Sequence, residues 1–221
     1  MENFTVLNYQ GSKNNLSSFI KKNIEPYIQD GKAILDIFSG SAAVSNMFRD
    51  NYQVYANDAE SYASIIADAI LNQADIDSAT ELINSLDIEY TTAIKKHAKP
   101  IIDFVKKEQL ALDKESYEQL IALYNLYPTV WNNQYSDITK SELTVDSIKQ
   151  TRDFYLFTTY YATNYYGITQ ALDIDCLIKI INLRFPQYRN ALLSCLFYAM
   201  KETVFSKDGH MAQPLSLEKN Q

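Results

Sequence analysis

Cysteine and histidine are scarce in this 221-residue sequence, with two of each. Cys176 and Cys195 fall in separate apolar helical patterns, so neither a disulfide nor a thiolate site is expected, and both read as small buried hydrophobes. His97 and His210 stand without ligand-spaced partners, which leaves no metal among the expected groups. His97 reads as an exposed helix residue. No apolar stretch reaches the roughly 20 residues of a membrane span. Met1 to Ser12 is polar and has no apolar run, so a secretory signal is not expected. These absences point to a reducing, cytoplasmic setting with no membrane partner. Positive charge is in deficit, with 20 Lys and Arg against 27 Asp and Glu, for a net of −7. Free nucleic-acid-binding domains usually show the opposite balance, because Lys and Arg on phosphates supply much of their affinity. An acidic protein with a local basic cleft stays compatible with such a partner.

The composition, 47% hydrophobic and 21% charged, is that of an ordinary folded chain,. Its length can bury a core without disulfide or metal staples. Tyrosine dominates the aromatics, 17 against 10 Phe and one Trp, and reads as packing with the hydroxyls at the surface. Leu16 to Ile24 has helical spacing. Ala33 to Phe38 (AILDIF) is a short apolar run bounded by Gly31 and Ser39-Gly40, which predicts a buried strand ending in a tight turn. Ala42 to Arg49 is helical, Gln53 to Asn57 a second strand, and Tyr62 to Leu71 helical again. That order is a βαβα unit of a doubly wound α/β sheet. From Ile76 to about Ser147 the pattern turns to long amphipathic helices. Tyr127 to Tyr135, with Trp131, Asn132 and Asn133, reads there as a surface loop, with base reading or stacking as the alternative. Two further helical patterns pass through Ile168 to Ile181 and Leu192 to Val204. Residues 1–75, 76–150 and 151–221 are therefore expected to form a nucleoside-binding segment, a helical insertion and a returning helical segment.

The sharpest local signal is Asp36-Ile37-Phe38-Ser39-Gly40-Ser41, where a strand ends and a helix opens. Glycine there lets backbone approach a ligand closely, and free N–H groups at a helix start suit an anion. Asp58 ends the next strand, about 20 residues on, where an acid can accept hydrogen bonds from ribose hydroxyls. The turn has one glycine and no G-x-G-x-x-G, which disfavours a pyrophosphate cofactor such as NAD and suits a ligand with a ribose but no phosphate. The plainer alternative is that Gly40 only turns the chain and Asp58 only caps the next helix.

The segment Asn8-Tyr9-Gln10-Gly11-Ser12-Lys13-Asn14-Asn15-Leu16 resembles motif X of adenine-specific DNA methyltransferases of the Dam-like (alpha-group) order. ILDIFSGSAAVS is similar to their motif I and VYANDAESYA to their motif II. Tyr166 to Asp175 resembles their Gln/Asn-Ala-x-x-Ile-Asp segment, and LLSCLFYAMKETVFSKDGHMA their Leu-rich helix and Gly-His loop. The resemblance implies a Rossmann-like S-adenosylmethionine-dependent methyltransferase sheet, partial here, with a helical insertion. It implies that Tyr9 and Lys13 line the methionine end of S-adenosylmethionine. Asp36, Phe38 and Gly40 would shape the motif I loop, and Asp58 would bind the ribose.

Two departures stand out. Ala42 replaces a second glycine common in the family's motif I. The catalytic Asp/Asn/Ser-Pro-Pro-Tyr/Phe motif is missing, since no Pro-Pro occurs anywhere in the sequence. In the family it follows the Gly-His loop, where this sequence stops. That motif binds the adenine amino group and stacks on the flipped base, and methyl transfer is in-line displacement governed mainly by positioning. The expectation is an S-adenosylmethionine-binding part of a DNA adenine methyltransferase, with no catalytic residue in this chain. DNA, a second subunit carrying the missing motif and a restriction endonuclease are the implied partners. Such a half is expected to expose apolar sheet edges. A non-catalytic S-adenosylmethionine-binding or assembly module is the alternative. A small-molecule methyltransferase would explain motifs I and II but not the Tyr-x-Gly-Ser-Lys start.

Overall fold

The computed structural model describes residues 6–7, 13, 16–28, 32–72, 78–127 and 156–206. These are mostly helical, with one small parallel sheet of two strands. The chain divides into two compact units, Met1–Ile76 with Gln187–Glu202, and Asp77–Pro186 with Thr203–Gln221.

In the first unit, β1 (Ala33–Asp36) pairs with β2 (Gln53–Ala56) in parallel, from Ala33 opposite Gln53 to Asp36 opposite Ala56. Parallel neighbours need a crossover, usually a helix, and α2 (Ala43–Phe48) supplies it. The unit also holds α1 (Ser17–Ile24), α3 (Ser61–Leu71) and most of α9 (Arg189–Thr203). Phe48, Ala63, Ile66, Leu193 and Leu196 are buried. Arg49 donates through Nη1 to the Ile70 carbonyl in the last turn of α3, at 2.6 Å. Asn190 of α9 donates through Nδ2 to Asp68 of α3, at 2.7 Å.

Both strands alternate between exposed and half-buried positions. Leu35 and Tyr55 lie on the open face, 60% and 53% exposed. Parallel sheets are normally covered on both faces, whereas β1, expected to be a buried strand, has no fully buried residue, because its apolar Leu35 side has nothing packed over it among the described residues. Cys195, on α9, is exposed, whereas it was expected to be buried.

The second unit contains α4 (Ala79–His97), α5 (Ile102–Asp113), α6 (Tyr117–Leu126), α7 (Leu156–Tyr160) and α8 (Ile168–Arg184). Ser78 starts α4 by accepting the Glu81 N–H at 3.2 Å, an ordinary N-cap. The start of α8 is capped from elsewhere in the chain, because Gly167 has no side chain to do it. Glu108 of α5, 2% exposed, accepts the Ile168 N–H and Tyr124 hydroxyl on Oε1, and the Thr169 N–H and hydroxyl on Oε2. A Cβ on Gly167 would meet Glu108 Oε1 at 2.9 Å and the Tyr124 hydroxyl at 3.1 Å, so glycine is needed for that close approach,.

Asp175 of α8, 3% exposed, does the same for α7. It accepts the Phe157 N–H, the Thr158 N–H and the Thr158 hydroxyl, each at 2.9 Å. Tyr90 donates to Asp173 at 2.7 Å and Tyr127 to the Thr158 carbonyl at 3.1 Å. The hydroxyls of Tyr90, Tyr124 and Tyr127 thus serve internal acceptors instead of reaching the surface. Tyr127 is buried and stands edge-on to Phe104, so it does not belong to a surface loop. Trp131, Asn132 and Asn133 lie outside the described residues. Cys176 is buried on α8, and burial, with Asp175 and Asp173 nearby, pushes its thiol up to about 12. His97 is half-buried, not exposed as expected. Among the described residues no helix is long and apolar enough to cross a membrane.

Candidate functional site

The C-terminal ends of β1 and β2 are laced together by backbone. Asn57 N–H donates to the Asp36 carbonyl at 2.8 Å, and Ser39 N–H to the Asn57 carbonyl at 3.0 Å. The turn after β1 therefore sits beside the end of β2, where open parallel sheets hold ligands. Asp58 completes the junction. Its Oδ2 accepts the Gly40 N–H at 2.8 Å and its Oδ1 the Glu60 N–H at 3.0 Å, just before α3. Those N–H groups, Glu60 first and then Gly40, hold the carboxyl below its ordinary range. It is an ionised acceptor at neutral pH with lone pairs left over. The plainer alternative describes real bonds, since Asp58 does tie turn and helix.

Gly40 has φ of 50°, the left-handed region that favours glycine,. Ala42, two residues on, has φ of 57° and is fully buried. A left-handed non-glycine residue costs roughly 1–2 kcal/mol, offset here by about 0.8 kcal/mol from the buried methyl. The position where the family commonly has glycine thus keeps the backbone conformation glycine would favour. Asp36 lies beneath the loop, and its Oδ2 accepts the Ser45 hydroxyl at 2.8 Å and the Ser45 N–H at 3.2 Å. With no capping side chain at Ala42, this bond anchors the first turn of α2. The Ser39 hydroxyl is buried and has no hydrogen-bond partner.

Asp36, Gly40 and Asp58 are thus brought together. Phe38 is in the same loop with its side chain 85% exposed. Lys13 is exposed, and its backbone carbonyl accepts the Leu16 N–H at 2.9 Å. Tyr9 and His210 lie outside the described residues. The role of Ser45 was not legible in the sequence, and Ser39 was legible only as part of the turn, not as a buried hydroxyl. A small polar residue within the apolar run of α2 was the available signal for Ser45. Among the described residues no three His, Cys, Asp or Glu side chains cluster as a metal site would require.

A family model for D12 class N6 adenine-specific DNA methyltransferase matches residues 9–171, which include the whole strand-end site. The chain belongs to that family. It is also similar to Modification methylase LlaI of Lactococcus lactis subsp. lactis, at 24% identity over 103 residues. Those residues are 47% of this chain but 15% of that methylase, so the chain spans a small part of its relative. No solved structure matches it. The matched region ends within α8, so the D12 likeness leaves out the LLSCLFYAMKETVFSKDGHMA segment.

Proposed function

We propose that this chain is the S-adenosylmethionine-binding part of a DNA adenine methyltransferase of the restriction-modification type. The enzyme transfers a methyl group to the exocyclic amino group of adenine. The observation that carries this reading is the Asp58–Gly40 junction at the ends of two parallel strands. Residues 1–75 form the cofactor segment of a partial Rossmann-like sheet, 76–150 the helical insertion and 151–221 the segment returning toward the catalytic domain. The setting is cytoplasmic.

The residues present fit the cofactor. A carboxylate held ionised with spare lone pairs suits a ribose diol. A single left-handed glycine without a phosphate cradle suits a nucleoside lacking pyrophosphate. The buried, unpartnered Ser39 hydroxyl marks the loop as short of one polar partner,. When bound, the cofactor supplies the sulfonium methyl. Asp58 orients the ribose, Gly40 lets backbone approach, and the Asp36–Ser45 bond keeps the loop in register with α2. Tyr9 and Lys13 line the methionine end, and Phe38 offers an apolar wall. The adenine-binding Pro-Pro-Tyr or Pro-Pro-Phe segment comes from outside these 221 residues or from a second subunit. A restriction endonuclease completes the system.

Calorimetric titration with S-adenosylmethionine tests this directly. Wild-type chain is expected to bind, Asp58→Asn to bind about tenfold more weakly, and Asp58→Ala to lose detectable binding. Equal affinity in all three would remove the pocket from the strand ends, and no binding by wild type would sink the reading. The second reading, a non-catalytic binding or assembly module, is favoured by the absence of Pro-Pro. Methylation of adenine on adding a polypeptide that carries that motif would exclude it.

A further inference from the structure

Charge is spread unevenly along this acidic chain. Residues 90–107 carry five lysines (Lys95, Lys96, Lys99, Lys106 and Lys107) against a single acid, Asp103, a net of +4. The rest of the sequence therefore carries −11. All five lysines are exposed, and none forms an ion pair among the described residues.

The fold gathers them at one corner of the second unit. Lys95 and Lys96 are in the last turn of α4, and Lys99 opens the single 3-10 turn Lys99–Ile101. Lys106 and Lys107 are in the second turn of α5, within about 8 Å of its start at 1.5 Å per residue. On α4, Leu82, Leu86, Glu89, Tyr90, Ala93, Ile94 and His97 are half-buried, and Lys95 and Lys96 are exposed. On α5, Phe104, Val105, Glu108 and Ala111 point inward. The lysines occupy the arcs left to solvent.

Helix electrostatics explains only part of the cluster. Lys95 and Lys96 complement the negative C-terminal end of α4. Lys99 instead stands at the positive end of α5, where a cation is unfavourable, and Lys106 and Lys107 are past the reach of either terminus. Nothing in the folding of the unit requires this concentration of charge. His97 is held below the ordinary histidine range by burial, then by Lys179 of α8, and least by Lys96 of the cluster.

We propose that the α4–α5 corner is the surface with which this chain grips the phosphate backbone of duplex DNA. The choice of DNA rests on the methyltransferase reading, and the location rests on the charge and exposure just described. Lysine ammonium groups are flexible point charges, so the surface supplies sequence-independent, salt-sensitive affinity and orientation, not base discrimination.

Fluorescence anisotropy of a labelled duplex of about 30 base pairs, titrated with the full chain from about 50 to 200 mM KCl, tests this. The variant replaces Lys95, Lys96, Lys99, Lys106 and Lys107 with Gln, and Lys21→Gln/Lys22→Gln in α1 is the control. Each lysine on a phosphate contributes about 0.9 to the slope of log affinity against log salt. The five-fold variant is therefore expected to lose up to about 4.5 from that slope, with the control unchanged. Circular dichroism and S-adenosylmethionine affinity should match wild type in both. An unchanged slope in the five-fold variant overturns the proposal, as does a wild-type chain that fails to bind duplex at the lowest salt. Tighter, equally lysine-dependent binding to duplex RNA also overturns it. A chain that binds S-adenosylmethionine but not DNA discards this surface and leaves the methyltransferase reading standing, whereas loss of both discards both.

Discussion

The two units use the same device, a carboxylate accepting backbone N–H groups near a helix start, to opposite ends. In the helical unit Glu108 is buried and accepts four hydrogen bonds from Ile168, Thr169 and Tyr124. Asp175 is buried and accepts three from Phe157 and Thr158. In the sheet unit Asp58 is half-buried and spends one bond on Gly40 and one on Glu60. A saturated, buried carboxylate is architecture, because it has no capacity left and its removal orphans what it served. A half-open carboxylate can accept a ligand without dismantling the fold. Spare lone pairs and access, not residue type, separate the two roles.

The contrast is broken most severely at Glu108. Glu108→Ala is expected to destabilise the helical unit by about 3–5 kcal/mol, since buried donors on Ile168, Thr169 and Tyr124 lose their acceptor. Denaturant unfolding followed by circular dichroism measures it, and a loss below about 1 kcal/mol would show that water replaces the carboxylate.

Asp175 sharpens the comparison through pH. Burial raises its carboxyl from 3.8 to about 6, although bonds from Thr158 and Phe157 oppose the shift. The folded chain then holds a proton that the unfolded chain releases near pH 4. This contribution is full below about pH 4 and is lost as pH rises through about 6, a change of about 3 kcal/mol. Asp175→Asn should flatten that part of the stability profile, and a variant with the wild-type profile would assign the titration elsewhere. Asp58 has the opposite sign, because its depressed carboxyl favours the folded state above the unfolded value and loses that effect on acidification,.

The smallest structural effect is expected at Asp58. Asp58→Asn should leave the melting temperature nearly unchanged while weakening S-adenosylmethionine. A large drop in melting temperature would place Asp58 with Glu108, as architecture.

How much of this was legible depended on range along the chain. The order β1, α2, β2, α3 and the turn at Gly40 could be read from AILDIFSG and QVYAND, because a short apolar run between turn residues carries a strand signal locally. The strands end one or two residues sooner than expected, at Asp36 and Ala56, where Asp36 turns to Ser45. Gly40 and Asp58 were legible as a pair because the spacing of a βαβ unit brings consecutive strand ends together. Glu108 was not, since its partners lie 60 and 61 residues away and an acid in an amphipathic helix ordinarily reads as a solvated face. Nor could the burial of Tyr127 or the exposure of Cys195 be read, because helical periodicity names an apolar face without saying what covers it.

The sequence alone determined the local alternation of helix, turn and strand, the family motifs and the −7 charge with its basic stretch at residues 90–107. These follow from neighbouring residues and from composition. Tertiary structure alone decided that Glu108 caps α8, that Asp175 caps α7 and that the Asp58 carboxylate spends a hydrogen bond on the Gly40 N–H. Each depends on bringing distant backbone within about 3 Å of a side chain, and pattern along the chain does not encode that distance.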